Sequence, residues 1–349
     1  MGVYDYIGER TPVSYGRMET LDTKDQKILN QLVKNGRLSL STIGKRVGLS
    51  REVINYRISK LAKKGILEGF TTFINTARLG IQKHVVLIQL QNLSKIKEKE
   101  IIEKLMAHNK LIWVGTCGGR WDLGLIFSTN SLKEFDQAHY EVKKILGDHL
   151  KESMILPQVW DRFTECGFIF KGKESNSNNF DMIAFEKDFK NQEKSFETIE
   201  IDRQSKEILK LLMKNCRTNL AEISDKTSVS IDTVKNKIKD MINKNIITHF
   251  RGMVSYELLG YQWNWLLLKF NYFDEHTERK LFEFCKQNPY TLWFVRHIGE
   301  WDVRISVYSE NALHFQKILS EIRDAFQKEL HSYDFVQIFS HYKYLNKLD

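Results

Sequence analysis

Between positions 41 and 60 the chain gathers side chains suited to holding a nucleic acid: Ser41, Ser50, Arg51, Asn55, Tyr56, Arg57 and Lys60. Five of them (Arg51, Asn55, Tyr56, Arg57 and Lys60) share the polar side of a helical period, opposite Val53, Ile54, Ile58 and Leu61. Arginine can fork onto guanine and asparagine onto adenine in a major groove, while lysine and hydroxyl groups hold phosphates. The same register returns 180 positions later with Ser230, Thr233, Lys235, Asn236, Lys237 and Lys239. A second chemistry is carried by Gly119, Trp121 and Asp122, repeated as Gly299, Trp301 and Asp302. A carboxylate there could pair with an ammonium while loop amides hold a carboxylate, which suits an amino acid effector. A tight hairpin at a sheet interface needs the same residues, and the change of Arg120 to Glu300 makes the two loops chemically unequal.

The elements that must position these groups are short. Leu40, Ile43 and Val47 share one helical face, and Gly48 can take the left-handed backbone that ends a helix. Ser50 can cap the next helix, with Glu52 near its positive end. A short helix, a tight turn and a basic second helix is the arrangement that enters a major groove. Upstream, Asp22 caps a helix to about Lys34, buries Ile28, Leu29, Leu32 and Val33, and stops at Asn35-Gly36. Downstream, Gly65 closes the basic helix, ILEGFTTFIN from Ile66 reads as a connecting strand or wing, and Gly80 marks a turn.

Residues 84–163 then read β-α-β-β-α-β, with strands from His84, Leu111, Trp121 and Glu152 and helices near 97–109 and 131–148. The second copy repeats this with strands near 264–270, 291–298, 301–307 and 333–339 and helices near 276–287 and 311–327. One sheet with two helices on one face is the ferredoxin-like arrangement, so the fold class is α+β. Its bare face needs a partner, which a second copy in the same chain supplies.

The repeat itself is explicit. Positions 21–80 align without a gap on 201–260, with 16 of 60 residues identical, including Asp22/Asp202, Arg37/Arg217, Ser50/Ser230 and Gly80/Gly260. The period is far longer than a solenoid's, so a whole subunit is duplicated. Charge follows the helical units. Positions 22–64 hold eleven Lys/Arg and three Asp/Glu, and 202–244 hold ten and six, whereas the net charge of the whole chain is +9. The remainder is therefore acidic overall, and the positive charge sits where a polyanion would be met.

With 349 residues, 42% apolar and 12% aromatic, the chain is a folded protein of several domains. No apolar run has membrane-span or signal-peptide length, and Tyr6 occupies the hydroxyl position of a myristoylation motif. Cys117, Cys166, Cys216 and Cys285 have no CxxC spacing, which points to buried thiols in a reducing cytoplasm. No catalytic triad, phosphate loop or metal-ligand pattern is expected, and no cofactor or metal. His84, His108, His139 and His314 stand at unpaired spacings and read as surface or core-edge residues.

On LDxxDxxILxxLxxNGR from Leu21, the GLSxxxVxxRIxxLxxxGILxGF-like run from Gly48, and Gly-x-Trp-Asp in the sheet, the chain resembles the leucine-responsive regulatory protein / AsnC family. The resemblance covers about 21–163 and 201–340. It implies sequence-specific binding of double-stranded DNA, pairing through the sheet domain, self-association beyond that pair, and a response to an amino acid near the glycine loop. The expected organisation is an arm at 1–20, helix-turn-helix units at 21–80 and 201–260, sheet domains at 81–170 and 261–349, and a polar linker at 171–200. The first helix-turn-helix, the more basic, is expected to dominate affinity. Siroheme decarboxylases, which are similar in length and duplication, form the enzyme alternative. That resemblance implies a His-x-Tyr setting in each sheet domain, which is not expected in this chain, where His297-Ile298-Gly299 and Cys117-Gly118-Gly119 stand instead. An interaction module that has lost DNA binding is a third alternative.

Overall fold

The computed structural model describes residues 18–164, 167 and 197–344. Cys166, the run FDMIAFEKDF from Phe180, most of the arm and most of the expected linker lie outside the described residues.

Copy one begins with three helices, α1 (Thr23–Lys34), α2 (Leu40–Val47) and α3 (Arg51–Lys63), followed by strand β1 (Leu67–Ile74). Its sheet unit is β2 (Gln82–Leu90), α4 (Lys95–Ala107), β3 (Leu111–Gly118), β4 (Leu123–Thr129), α5 (Leu132–Leu146) and β5 (Leu150–Phe163). Copy two repeats the order: α6 (Arg203–Lys214), α7 (Leu220–Thr227), α8 (Ile231–Asn243), β6 (Ile247–Val254), β7 (Gln262–Phe270), α9 (Glu275–Gln287), β8 (Thr291–His297), β9 (Val303–Ser309), α10 (Ala312–Ala325) and β10 (Leu330–Tyr344). Every one of these helices starts on a side chain that accepts a backbone N–H three residues on: Asp22, Ser39, Ser50, Ser94, Ser131, Asp202, Asn219, Ser230, Asp274 and Asn311.

Each helix-turn-helix buries its own small core, Ile28, Leu29, Leu32, Ile43, Ile54 and Ile58 in copy one and Ile208, Leu209, Leu212, Ile223, Val234 and Ile238 in copy two. Val53, expected inward, is 39% exposed, because the helix turns Ile54 rather than Val53 onto α1 and α2.

The strand after each helix-turn-helix does not fold back as a wing on its own unit. Instead β1 pairs antiparallel with β6 of the other copy. Thr71 faces Arg251, and the pairs on either side, Phe70 with Gly252 and Thr72 with Phe250, are images of each other under a shift of 180. The helices cross over as well: α1 packs on β6 and α6 on β1.

The two four-stranded sheets close into one barrel in the order β10-β3-β4-β2-β5-β8-β9-β7. Two seams join the copies, with Gln158 opposite His297 on β5/β8 and Ile338 opposite Cys117 on β10/β3. These seams are again related by 180 positions. They also explain why β5 and β10 run longer than their local pattern, since their tails pair with the other copy. Helices α4 and α5 cover one outer face of the barrel through Val86, Val114, Leu125 and Phe127, and α9 and α10 cover the other through Leu266, Phe294, Val303 and Ile305. The interior is filled by Leu87, Leu156, Val336 and a tryptophan cluster, Trp113, Trp263 and Trp265, with centroids 4.6 to 6.1 Å apart. Gly124 leaves the room: a Cβ there would lie 2.8 Å from Trp113 and 3.2 Å from Trp265.

Candidate nucleic-acid interface

Helix α3 is built as the sequence suggests at its start. The Gly44 carbonyl accepts the N–H groups of Gly48 and Leu49 where α2 ends, with Gly48 at φ +71°, and the Ser50 Oγ accepts the Val53 N–H at 3.3 Å. Ser230 does the same for Thr233 in α8. Both serines therefore act as helix caps in this structure.

The outward face of α3 carries Arg51, Asn55, Tyr56 and Lys60, all exposed, with Tyr56 at 68%. Ser41 on α2 is exposed on the same unit. On α8 the exposed set is Thr233, Lys235, Asn236 and Lys239. Lys45, Arg51, Lys60 and Lys63 form no salt bridge among the described residues.

Arg57 and Lys237 stand apart from these sets. Arg57, expected to face outward, is half-buried and donates to Asp22 Oδ2 and Asp25 Oδ1, both at 2.7 Å. The hydrogen bonds it donates to the two carboxylates raise its already high pKa further. Its counterpart Lys237 donates to Asp202 Oδ2 at 2.8 Å, and that bond leads in drawing the Asp202 carboxyl down to about 2. In each unit the pair ties the second helix of the motif to the N-terminus of the first helix, where the carboxylate also caps. Arg57 and Lys237, expected on the outward face, are thus half-buried and engaged within their own unit.

Residues that sequence reasoning passed over hold the two units together. The Arg37 Nη1 donates to the carbonyl of Cys216 at 2.6 Å, and the Arg217 Nη1 donates to those of Gly36 and Leu38 at 2.7 and 3.0 Å. Arg37 also lies over the Phe250 ring and Arg217 over Phe70. The Gly36 N–H donates to Phe250 and the Cys216 N–H to Phe70. Thr71 and Thr72 donate to the carbonyls of Met213 and Leu212. The signal was present, because Arg37/Arg217 is one of the conserved-in-both-copies pairs flanked by diverged positions.

The glycine loops lie between β3 and β4 and between β8 and β9. Gly119 has φ +107° and Gly299 φ +121°, a backbone that glycine adopts without strain. Trp121 and Trp301 are buried. The Asp122 carboxylate accepts the Leu90 N–H at 2.6 Å, and Asp302 accepts the Phe270 N–H at 2.9 Å and the Lys269 Nζ at 3.2 Å. Each loop thus assembles its expected residues, with the carboxylate engaged at the end of a neighbouring strand.

Several histidines are deeper than expected. His84 and His139 are buried and sandwich Phe135, at centroid distances of 3.8 and 5.5 Å. Burial lowers both, His84 to about 4. Contrary to the expectation, one His-x-Tyr triplet is present: His331-Ser332-Tyr333 opens β10, with both ends exposed and His331 against Asn271. Cys117, Cys216 and Cys285 are buried free thiols, as expected, and burial raises all three. Among the described residues no cluster could hold a metal ion, and no helix is long and apolar enough to cross a membrane.

Comparison with known proteins agrees with this geometry. A winged helix-turn-helix DNA-binding family model matches residues 21–68 and again 201–248. The proline dehydrogenase transcriptional activator of Rhizobium radiobacter is 30% identical over 146 residues, 41% of this chain and 86% of that protein. An HTH-type transcriptional regulator of Pyrococcus furiosus is 30% identical over 135 residues, 38% of this chain and 85% of its own length. Each match spans most of the relative and less than half of this chain, as a fusion of two units requires. In fold, the siroheme decarboxylase NirDL is similar over 93% of both chains with a TM-score of 0.59, at 10% identity. That likeness extends to the paired arrangement and is a likeness of fold alone. Two matches to the DNA-binding motif, homologous regulators at 30% identity matched over 85% and 86% of their length, and the α+β architecture together place the chain in the leucine-responsive regulatory protein / AsnC family of HTH-type transcriptional regulators.

Proposed function

We propose that the protein is a sequence-specific transcription regulator in which one chain does the work of a family dimer, presenting α3 and α8 to one duplex. The observation that carries this is the reciprocal Arg37/Arg217 clamp together with the β1–β6 pair, which fix the two helix-turn-helix units relative to each other. Backbone-carbonyl hydrogen bonds from a guanidinium are charge-assisted and directional, so they favour one relative orientation of the units. The barrel seams support reading the two sheet domains as an intrachain pseudo-dimer. Arg51, Asn55, Tyr56 and Lys60 in copy one, with Thr233, Lys235, Asn236 and Lys239 in copy two, are the side chains proposed to meet DNA, with Ser41 on the backbone. Such a protein acts in the cytoplasm, in the compartment of the chromosome, and its free thiols suit a reducing one.

An amino-acid response at Gly119, Trp121 and Asp122 and at Gly299, Trp301 and Asp302 belongs to the same proposal. It requires a ligand to use loop amides and to compete for the Asp122 or Asp302 carboxylate. Self-association beyond the pair is checked by light scattering with and without each amino acid.

The experiment is a gel-shift titration of the purified protein against random duplexes over a range of salt. A regulator binds with affinity that falls steeply as salt rises. An enzyme of the decarboxylase type gives no such slope and instead removes carboxyl groups from siroheme, and an interaction module does neither.

A further inference from the structure

We infer that the DNA this protein reads is not a palindrome: its two half-sites differ, and the half under α3 supplies most of the affinity. The inference rests on the DNA-binding reading and deepens it. From positions 40 to 64 the first motif has seven basic and one acidic residue, a balance of +6, and from 220 to 244 the second has five and four, a balance of +1.

The differences fall on the exposed face. Arg51 is matched by Ile231, which is 47% exposed, Tyr56 by Asn236, Asn55 by Lys235 and Lys60 by Asp240. On the supporting helix Lys45 is matched by Asp225, and both are exposed. Neighbours neutralise much of what positive charge copy two retains. Lys226 pairs with Glu222 and Lys244 with Asp240, each at 2.7 Å. In copy one Lys45, Arg51, Lys60 and Lys63 form no salt bridge among the described residues.

Cores, caps and clamp are preserved across the copies, so both helices are held in equivalent positions while their reading faces differ. A guanidinium at position 51 can take guanine bidentately, and an isoleucine at 231 can only make apolar contact, for instance with a thymine methyl. Because the copies are fused, the mismatch cannot be averaged by exchange with a like subunit. Each molecule therefore binds with a fixed polarity.

The test is selection of duplexes from a random-core library by the full-length protein, followed by salt titration of the selected site. Two variants accompany it, Arg51→Ile with Lys60→Asp in copy one and Ile231→Arg with Asp240→Lys in copy two. All four positions are exposed, and circular dichroism checks that each variant folds. The expected result is a consensus with unlike halves. The copy-one variant should lose about tenfold or more in affinity, with a shallower salt dependence by about two phosphate contacts, and its reselected site should change in one half only. The copy-two variant should gain affinity and change the other half. A palindromic consensus, or variants that change both halves alike, would overturn the asymmetry and leave DNA binding intact. Retention of no duplex would overturn both.

Discussion

At the scale of single residues, the structure separates basic side chains that hold the fold from those that face outward. Arg57→Ala should lower stability by about 1 kcal/mol, since its ion pairs are partly exposed and screened. Arg51→Ala should instead leave the unfolding midpoint unchanged and weaken binding to the selected duplex by about 1–3 kcal/mol. Urea denaturation and gel shift on both variants read the two effects separately, and a reversed pattern would reject the assignment. The buried histidine opposite Gln158 makes a different prediction. His297 is fully buried, and burial, helped by Arg304, lowers it to about 3. The unfolded chain takes up this proton near 6.5, so the neutral form contributes its stability above that pH and loses it as pH falls toward 3. Between pH 7 and 5 the loss is about 2 kcal/mol for this group. Denaturation at both values should show His297→Gln flattening the dependence by that amount. His84 acts with the same sign, so some dependence persists.

At the scale of elements, two features can be changed without touching the outward faces. Gly48 ends α2 at φ +71°, while Ser228 ends α7 at φ +55°. A left-handed serine is strained where glycine is not, so Ser228→Gly should stabilise the second unit by about 0.5–1 kcal/mol, seen as a higher melting temperature. Removing the clamp with Arg37→Ala and Arg217→Ala should cost about 1.5–3 kcal/mol per charge-assisted bond. Differential exchange should then rise first along β1 and β6. Most elements were legible locally. Caps such as Asp22 and Ser50 and the apolar periods Ile28–Leu29–Leu32 and Ile54–Ile58–Leu61 each need only one turn of neighbours to be read. The extents of β5 and β10, the crossing of β1 onto β6 and the role of Arg57 were not legible. Their partners, β8, β3, β6 and the Asp22 carboxylate, lie far off in sequence, and no local period records them. On the candidate face the helix period alone placed Arg51, Asn55, Tyr56 and Lys60 outward, while it could not distinguish them from Arg57 one turn away.

At the scale of the whole molecule, the repeat keeps its packing residues and diverges on its surfaces. Identities such as Ile28/Ile208, Ile43/Ile223, Ile58/Ile238 and Arg37/Arg217 lie in cores or in the clamp, whereas Arg51/Ile231 and Lys60/Asp240 lie on the outward faces. Fusion then turns two unequal units into one body with a fixed direction, closed by a barrel with seams at both junctions. The measurement that bears most directly on this is the salt dependence of binding to the selected duplex. A regulator working through the exposed lysines and arginines of α3 and α8 should give a linear, steep fall of log affinity with log salt, made shallower by Arg51→Ile with Lys60→Asp. Affinity independent of salt, or no retention of duplex DNA at low salt, would contradict it.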